Sequence, residues 1–177
     1  MNKTITVFGS SQPVKGEEQY EFAHNLGSLL AKNNFAVCTG GYGGIMEAVS
    51  KGAVENRGKA IGVTLNYVNS KGNKYLTKNI SCNSLFERVS KLLELGDGYV
   101  ILQGGTGTML ELAALWEFMN KGLLKIKPAV CHSNMWKEII AIMEKQLTAE
   151  NRRADLIKHC ETVDEIVEYL ADKLTNE

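Results

Sequence analysis

Two glycine-rich runs hold the residues best suited to chemistry. Gly104-Gly105-Thr106-Gly107-Thr108 stands between a short apolar run, Tyr99 to Leu102, and a segment with helical periodicity. Glycines there let the backbone approach a ligand closely, and a helix start offers unpaired N–H groups and the positive end of a dipole. Thr106 and Thr108 add hydroxyls. Together these make a phosphate cradle. The run is not a Walker loop, since no Gly-Lys-Ser/Thr occurs in the chain, and it lacks the third glycine of the dinucleotide fingerprint. A tight strand-to-helix turn needs one glycine, so three in four residues favour the cradle. Thr39-Gly40-Gly41-Tyr42-Gly43-Gly44 repeats the arrangement after Phe35 to Cys38, and a shorter turn, Gly9-Ser10-Ser11, follows Ile5 to Phe8. Tyr42 has two open roles, stacking on a base or covering the sheet edge.

Two charged residues accompany the glycines. Glu111 follows Thr108 by one helical turn. Thr-x-x-Glu is the pattern of a capping box. The same residue lies about 100° from the apolar stripe of its helix, close enough to reach a ligand in the cradle. Arg88 borders the apolar face of its own helix. A solvated surface arginine is the ordinary expectation, and one snorkelling toward the sheet edge would meet a phosphate or ribose. The cysteines at 38, 82, 131 and 160 have no C-x-x-C spacing and read as small buried hydrophobes in a reducing compartment. His24, His132 and His159 are isolated, so no metal site is expected.

These residues need a scaffold that brings separate loops to one edge. Strand-like runs are Ile5–Phe8, Phe35–Cys38, Ala60–Thr64, Ile80–Asn83, Tyr99–Leu102, Ala129–Cys131 and Leu156–Cys160. Helical patterns are Glu17–Lys32, Ile45–Glu55, Leu85–Leu95 (with Leu85, Val89, Leu92 and Leu93 inward), the segment from the 104–108 run to Asn120, Trp136–Leu147, and Glu165–Lys173 capped by Asp164. The alternation predicts an α/β fold. It is a single Rossmann-like, doubly wound domain over residues 1–177, with a mostly parallel sheet and helices on both faces. Parallel order places the loops after the first, second and fifth strands on one edge, where such folds bind ligands. Leu65 to Lys78 shows no clean period and reads as a loop able to fold over that edge.

Composition narrows the function further. The chain has 177 residues, one domain's worth, with 20 basic and 20 acidic residues and no net charge. That balance argues against nucleic acid as a partner. The longest stretch without a charge, Asn33 to Met46, has 14 residues and is too short to span a membrane. The N-terminus lacks the apolar block of a signal peptide, so a cytoplasmic protein is expected.

At these residues the chain resembles the LONELY GUY family of nucleotide phosphoribohydrolases, whose members have also carried a lysine decarboxylase-like label. The family signature Pro-Gly-Gly-x-Gly-Thr-x-x-Glu reads here Gln103-Gly104-Gly105-Thr106-Gly107-Thr108-Met109-Leu110-Glu111. Its earlier glycine loop resembles Gly40-Gly41-Tyr42-Gly43-Gly44-Ile45-Met46-Glu47, and its arginine motif, Met-x-x-Arg-Lys, aligns with Leu85-Phe86-Glu87-Arg88-Val89. The chain departs from the pattern at Gln103 for proline, Val89 for lysine, and Leu110 for a glutamate common in cytokinin-activating members.

The resemblance implies a homodimer that hydrolyses a nucleoside 5′-monophosphate, AMP or a cytokinin riboside monophosphate, to free base and ribose 5-phosphate. It gives Arg88 and Glu111 the catalytic roles. Gly9, Ser10, Gly40, Gly41, Tyr42, Gly43, Gly44 and Gly104 to Thr108 are the candidate binding residues, and no cofactor is implied. A sister group, the molybdenum-cofactor carriers, shares the fold and similar glycine loops, so a non-catalytic nucleotide or molybdenum-cofactor carrier is the alternative. Pyridoxal-phosphate decarboxylation ranks last, because it needs a Schiff-base lysine and neither glycine loop contains one.

Overall fold

The computed structural model describes residues 3–66 and 71–175. Among them lie strands β1 (Thr4–Phe8), β2 (Ala36–Thr39), β3 (Ala60–Leu65), β4 (Lys78–Cys82), β5 (Gly98–Ile101), β6 (Ala129–Cys131) and β7 (Lys158–His159). The helices are α1 (Glu18–Lys32), α2 (Ile45–Glu55), α3 (Leu85–Leu95), α4 (Thr106–Asn120), α5 (Asn134–Ala149) and α6 (Val163–Thr175). The strands form one sheet in the order β4-β3-β2-β1-β5-β6-β7, and every pairing is parallel. The expected α/β, doubly wound architecture is thus the observed one. Of the Leu65–Lys78 loop, residues 67–70 lie outside the described residues.

Strand alternation distributes the core. Ile5, Val7, Val37, Val100 and Leu102 pack with α1, α2 and α6. Phe8, Cys38, Tyr99, Ile101 and Cys131 pack with α3, α4 and α5. Burying each large apolar side chain contributes roughly 1.5–3 kcal/mol, which is why short strands with two buried faces suffice. The same alternation puts Cys131 on the α5 side, while His132 turns the other way and stacks on Phe22 of α1 at 4.0 Å between ring centres. Two hydrogen bonds tie helices to the sheet within these layers, while the buried Trp116 Nε1 has no partner among the described residues. The Thr6 hydroxyl donates to the Leu92 carbonyl at 3.0 Å, and Trp136 Nε1 donates to the Leu102 carbonyl at 2.8 Å, fixing α3 and α5 on the sheet.

Several expectations are corrected. Leu85, expected to face inward, is 43% exposed at the first position of α3. Thr162, not Asp164, caps α6: its hydroxyl accepts from the Glu165 N–H, and Glu165 returns the bond to the N–H groups of Glu161 and Thr162. Asp164 already sits in the first turn. Cys160 lies just beyond the two-residue β7, though all four cysteines are free and buried. No helix among the described residues is long and apolar enough to cross a membrane.

Strand order reverses between β1 and β5. The connection leaving β1 runs to α1 on one face, and that leaving β5 runs to α4 on the other. The loops diverge at this point and leave a crevice over the carboxyl ends of the strands.

Candidate active site

The loop after β1 holds the crevice together. The Ser10 N–H donates to the Gln103 carbonyl of the β5 loop at 3.0 Å, and the Ser10 carbonyl accepts from the Ile45 N–H at the start of α2 at 2.9 Å. The second contact depends on Gly44. Its φ is +66°, and a Cβ there would stand 2.4 Å from the Ser10 carbonyl oxygen. The segment after β3 closes the second glycine loop from outside. The Asn73 side chain donates to the Gly41 and Tyr42 carbonyls at 3.2 and 3.0 Å, and the Tyr42 hydroxyl accepts from the Leu65 N–H at 2.8 Å. Its described residues pack on that loop and do not line the cavity below.

Arg88 reaches the crevice from the first turn of α3, which Ser84 caps by accepting from the Glu87 N–H. It is buried, contrary to the expectation of a solvated arginine. Its Nε donates to the Val63 carbonyl at 2.8 Å, and its Nη1 donates to Glu111 Oε1 at 3.3 Å. The guanidinium carbon lies 5.6 Å from the centre of the Tyr42 ring, within cation–π range. Gly40 leaves the room this needs, since a Cβ there would fall 1.8 Å from Nη2.

Glu111 lies in the second turn of α4. The helix begins at Thr106 with Gly105 as its N-cap and no side-chain cap bond. The capping box expected from Thr108-x-x-Glu111 therefore does not form. The glycine run lets the helix start before Thr108, and Glu111 turns inward to Arg88. Side-chain exposure is 9% for Glu111 and 10% for Arg88. Burial pushes the Glu111 carboxyl up to about 7, with the Arg88 charge opposing the rise. Nearby, burial pushes the Cys38 thiol up to about 12, which leaves it no part as a nucleophile at neutral pH.

A cavity of about 340 Å³ opens above this pair. Of the sequence candidates, Gly9, Ser10, Tyr42, Arg88, Gly105, Thr106, Gly107, Thr108 and Glu111 line it together. Gly40, Gly41, Gly43 and Gly44 do not line it, and they shape the loops around it. Gly104 lines the adjacent cavity instead. Ser11, Gln12 and Met46 also line the site and were not among the candidates, although Ser11 and Met46 stand within the runs quoted from the sequence and Gln12 follows Ser11 directly. Gly105 and Gly107 face open space, since a Cβ on either would meet no other residue within 4 Å. The fold itself does not demand glycine there. Bare backbone at the start of α4 is what a phosphate needs.

The profile of the SLOG cluster4 family matches residues 2–166. The chain belongs to this family. It is similar to the cytokinin riboside 5′-monophosphate phosphoribohydrolase of Rhodococcoides fascians, at 26% identity over 132 residues, which are 72% of this chain and 66% of that protein's own length. The LONELY GUY resemblance carried by Gly104 to Glu111 is borne out by this family and this relative. Among solved structures, the Northeast Structural Genomics Consortium target TM1055 superposes with a TM-score of 0.76 at 26% identity, covering 96% of this chain and 99% of that one. The molybdenum cofactor carrier protein of Chlamydomonas reinhardtii superposes with a TM-score of 0.79 at 23% identity, covering 99% of each chain. That last likeness is one of fold.

Proposed function

We propose that this protein is a phosphoribohydrolase that cleaves the N-glycosidic bond of a nucleoside 5′-monophosphate, of the AMP or cytokinin riboside monophosphate type, giving free base and ribose 5-phosphate. The observation that carries the reading is the buried Arg88–Glu111 pair facing the same cavity as the glycine-rich start of α4. The N–H groups of Gly105 to Thr108 hold the 5′-phosphate and fix the ribose over Glu111. Breaking the bond builds positive charge on the ribose. The Glu111 carboxylate stabilises that charge or takes a proton from the attacking water. The water oxygen bonds to C1′, the C1′–N bond breaks, and its electron pair leaves with the base, which takes up a proton. Arg88 is anchored by the Val63 carbonyl, so it orients the Glu111 carboxylate and favours its ionised form. The similarity to the Rhodococcoides fascians enzyme supports the same reaction class.

The test is incubation with AMP and assay of adenine and ribose 5-phosphate. Their release in equal amounts supports the reading. AMP bound and recovered intact, with other 5′-mononucleotides also intact, would make the protein a carrier.

A homodimer is part of the proposal. The apolar face Leu112 to Met119 mostly serves the protein's own core, where Leu112, Leu115, Trp116 and Met119 are buried, and Leu112 and Trp116 also line a groove against α5. Met109, Ile142 and Met143 are instead exposed along α4 and α5, beside an apolar groove of about 290 Å³.

A further inference from the structure

We propose that the site takes a nucleoside 5′-phosphodiester, in which the 5′-phosphate is also esterified to an uncharged, hydroxyl-bearing group such as a polyol or sugar, and that this group fills a second cavity beyond the phosphate. This rests on the nucleotide reading above and deepens it.

A cavity of about 590 Å³ lies across the β1 loop from the first and shares Ser10 and Gln12 with it. Gly104 lines this second cavity and Gly105 the first, so a 5′-phosphate at the start of α4 sits at their border. The ribose and its base extend from the phosphate into the first cavity, over Glu111. An ester on another phosphate oxygen leads the opposite way, into the second. AMP alone leaves that space empty, although its volume lies within the roughly 300–1,000 Å³ of small-molecule sites.

The lining sets the chemistry of the ester group. It contains no lysine or arginine and offers the amides of Gln12, Gln19 and Gln103 with the carboxylates of Glu17 and Glu18. Carboxylates without a cation repel a second phosphate, so the group is not a phosphoryl chain. An ionised carboxylate only accepts hydrogen bonds, an amide donates and accepts, and a hydroxyl satisfies both. Glu17 already accepts from the Val14 N–H at 2.8 Å, and the Gln12 amide donates to the Ser11 hydroxyl at 3.2 Å. Among the described residues, the side chains of Glu18, Gln19 and Gln103 have no hydrogen-bond or ion-pair partner. The same three continue into a smaller recess of about 130 Å³ walled by Phe22 and His132. Gln103 stands where the family pattern has proline, which has no side-chain amide to offer at this border. The ester does not alter the reaction. The water oxygen bonds to C1′, the C1′–N bond breaks, its electron pair leaves with the base, which takes up a proton, and both phosphoester bonds stay intact.

Equilibrium binding tests this apart from turnover. Calorimetry on the Glu111→Gln protein, which suppresses hydrolysis, compares AMP, ADP, the methyl ester of AMP and the glyceryl ester of AMP. The two esters carry the same phosphate charge. The glyceryl ester should bind about tenfold more tightly than the methyl ester, the scale of one or two neutral hydrogen bonds. Adding Glu18→Ala and Gln19→Ala together should bring the two esters within about twofold of each other while leaving methyl ester affinity unchanged. ADP should bind more weakly than AMP. Equal binding of the two esters, a preference that survives the double substitution, an equal loss of methyl ester affinity, or ADP bound as tightly as AMP would each overturn the proposal. Absence of hydrolysis of AMP and of both esters by the wild-type protein would overturn the function proposed above and leave this binding comparison standing.

Discussion

Glu111 carries an ionisation that activity should reveal. Burial favours its protonated form, and the reaction uses the carboxylate. kcat/KM for AMP should therefore fall about tenfold per pH unit below about 7 and level off above it. A pH–rate profile checks this, and a flat profile between pH 5 and 8 would count against the role. The linked effect on stability has the opposite direction. The folded state holds the Glu111 proton more tightly than the unfolded chain does, so this group's contribution declines as pH rises from about 4.5 to about 7. Urea midpoints at pH 5 and 8 should show that decline, and Glu111→Gln should remove the part that belongs to this carboxyl. Arg88→Ala leaves Glu111 without its cation and the Val63 carbonyl without its donor. It should lower turnover and cost about 3–5 kcal/mol in stability, the scale for breaking a buried pair.

The glycines divide by role at the scale of the loop and helix. Gly107 lies in the first turn of α4 and faces open space, so Gly107→Ala should keep or raise stability by up to about 1 kcal/mol through helix propensity. The added methyl stands where ligand phosphate approaches, and AMP affinity should drop. Gly44→Ala meets the Ser10 carbonyl at 2.4 Å and should destabilise the fold. Thermal melts and AMP titrations of both variants separate the roles, and reduced stability in Gly107→Ala with unchanged affinity would reverse the assignment. Composition and spacing marked both runs as ligand-facing but could not divide them. Gly40 makes room for a guanidinium that arrives from residue 88, and no local pattern encodes that approach. Most strands and helices were legible because short apolar runs, buried on both faces, alternate with longer segments that place apolar residues on one side. The capping-box pattern at Thr108 and Glu111 misled because an earlier glycine run, not the hydroxyl, sets where α4 begins.

Over the whole molecule, the site is assembled by topology. Residues 9, 42, 88 and 111 are remote in sequence, and parallel order brings their loops to one edge at the point where strand order reverses. The edge was legible from the βα alternation. The burial of Arg88 was not, since it depends on the Val63 carbonyl and on the space at Gly40. The exposed apolar side chains on α4 and α5 belong to the same scale. Light scattering at micromolar concentration should give twice the chain mass, and Ile142→Glu should shift it toward monomer. A monomeric wild-type protein would remove the dimer. The most direct test of the catalytic pair is AMP turnover and AMP binding measured together on wild type and Glu111→Gln. Glutamine keeps the length of the side chain and an oxygen that can accept from Arg88, so binding should persist. Ribose 5-phosphate release should fall by about 10²–10⁴, the scale of a positioned acid–base group. Turnover equal to wild type in a folded, AMP-binding Glu111→Gln protein would contradict the account.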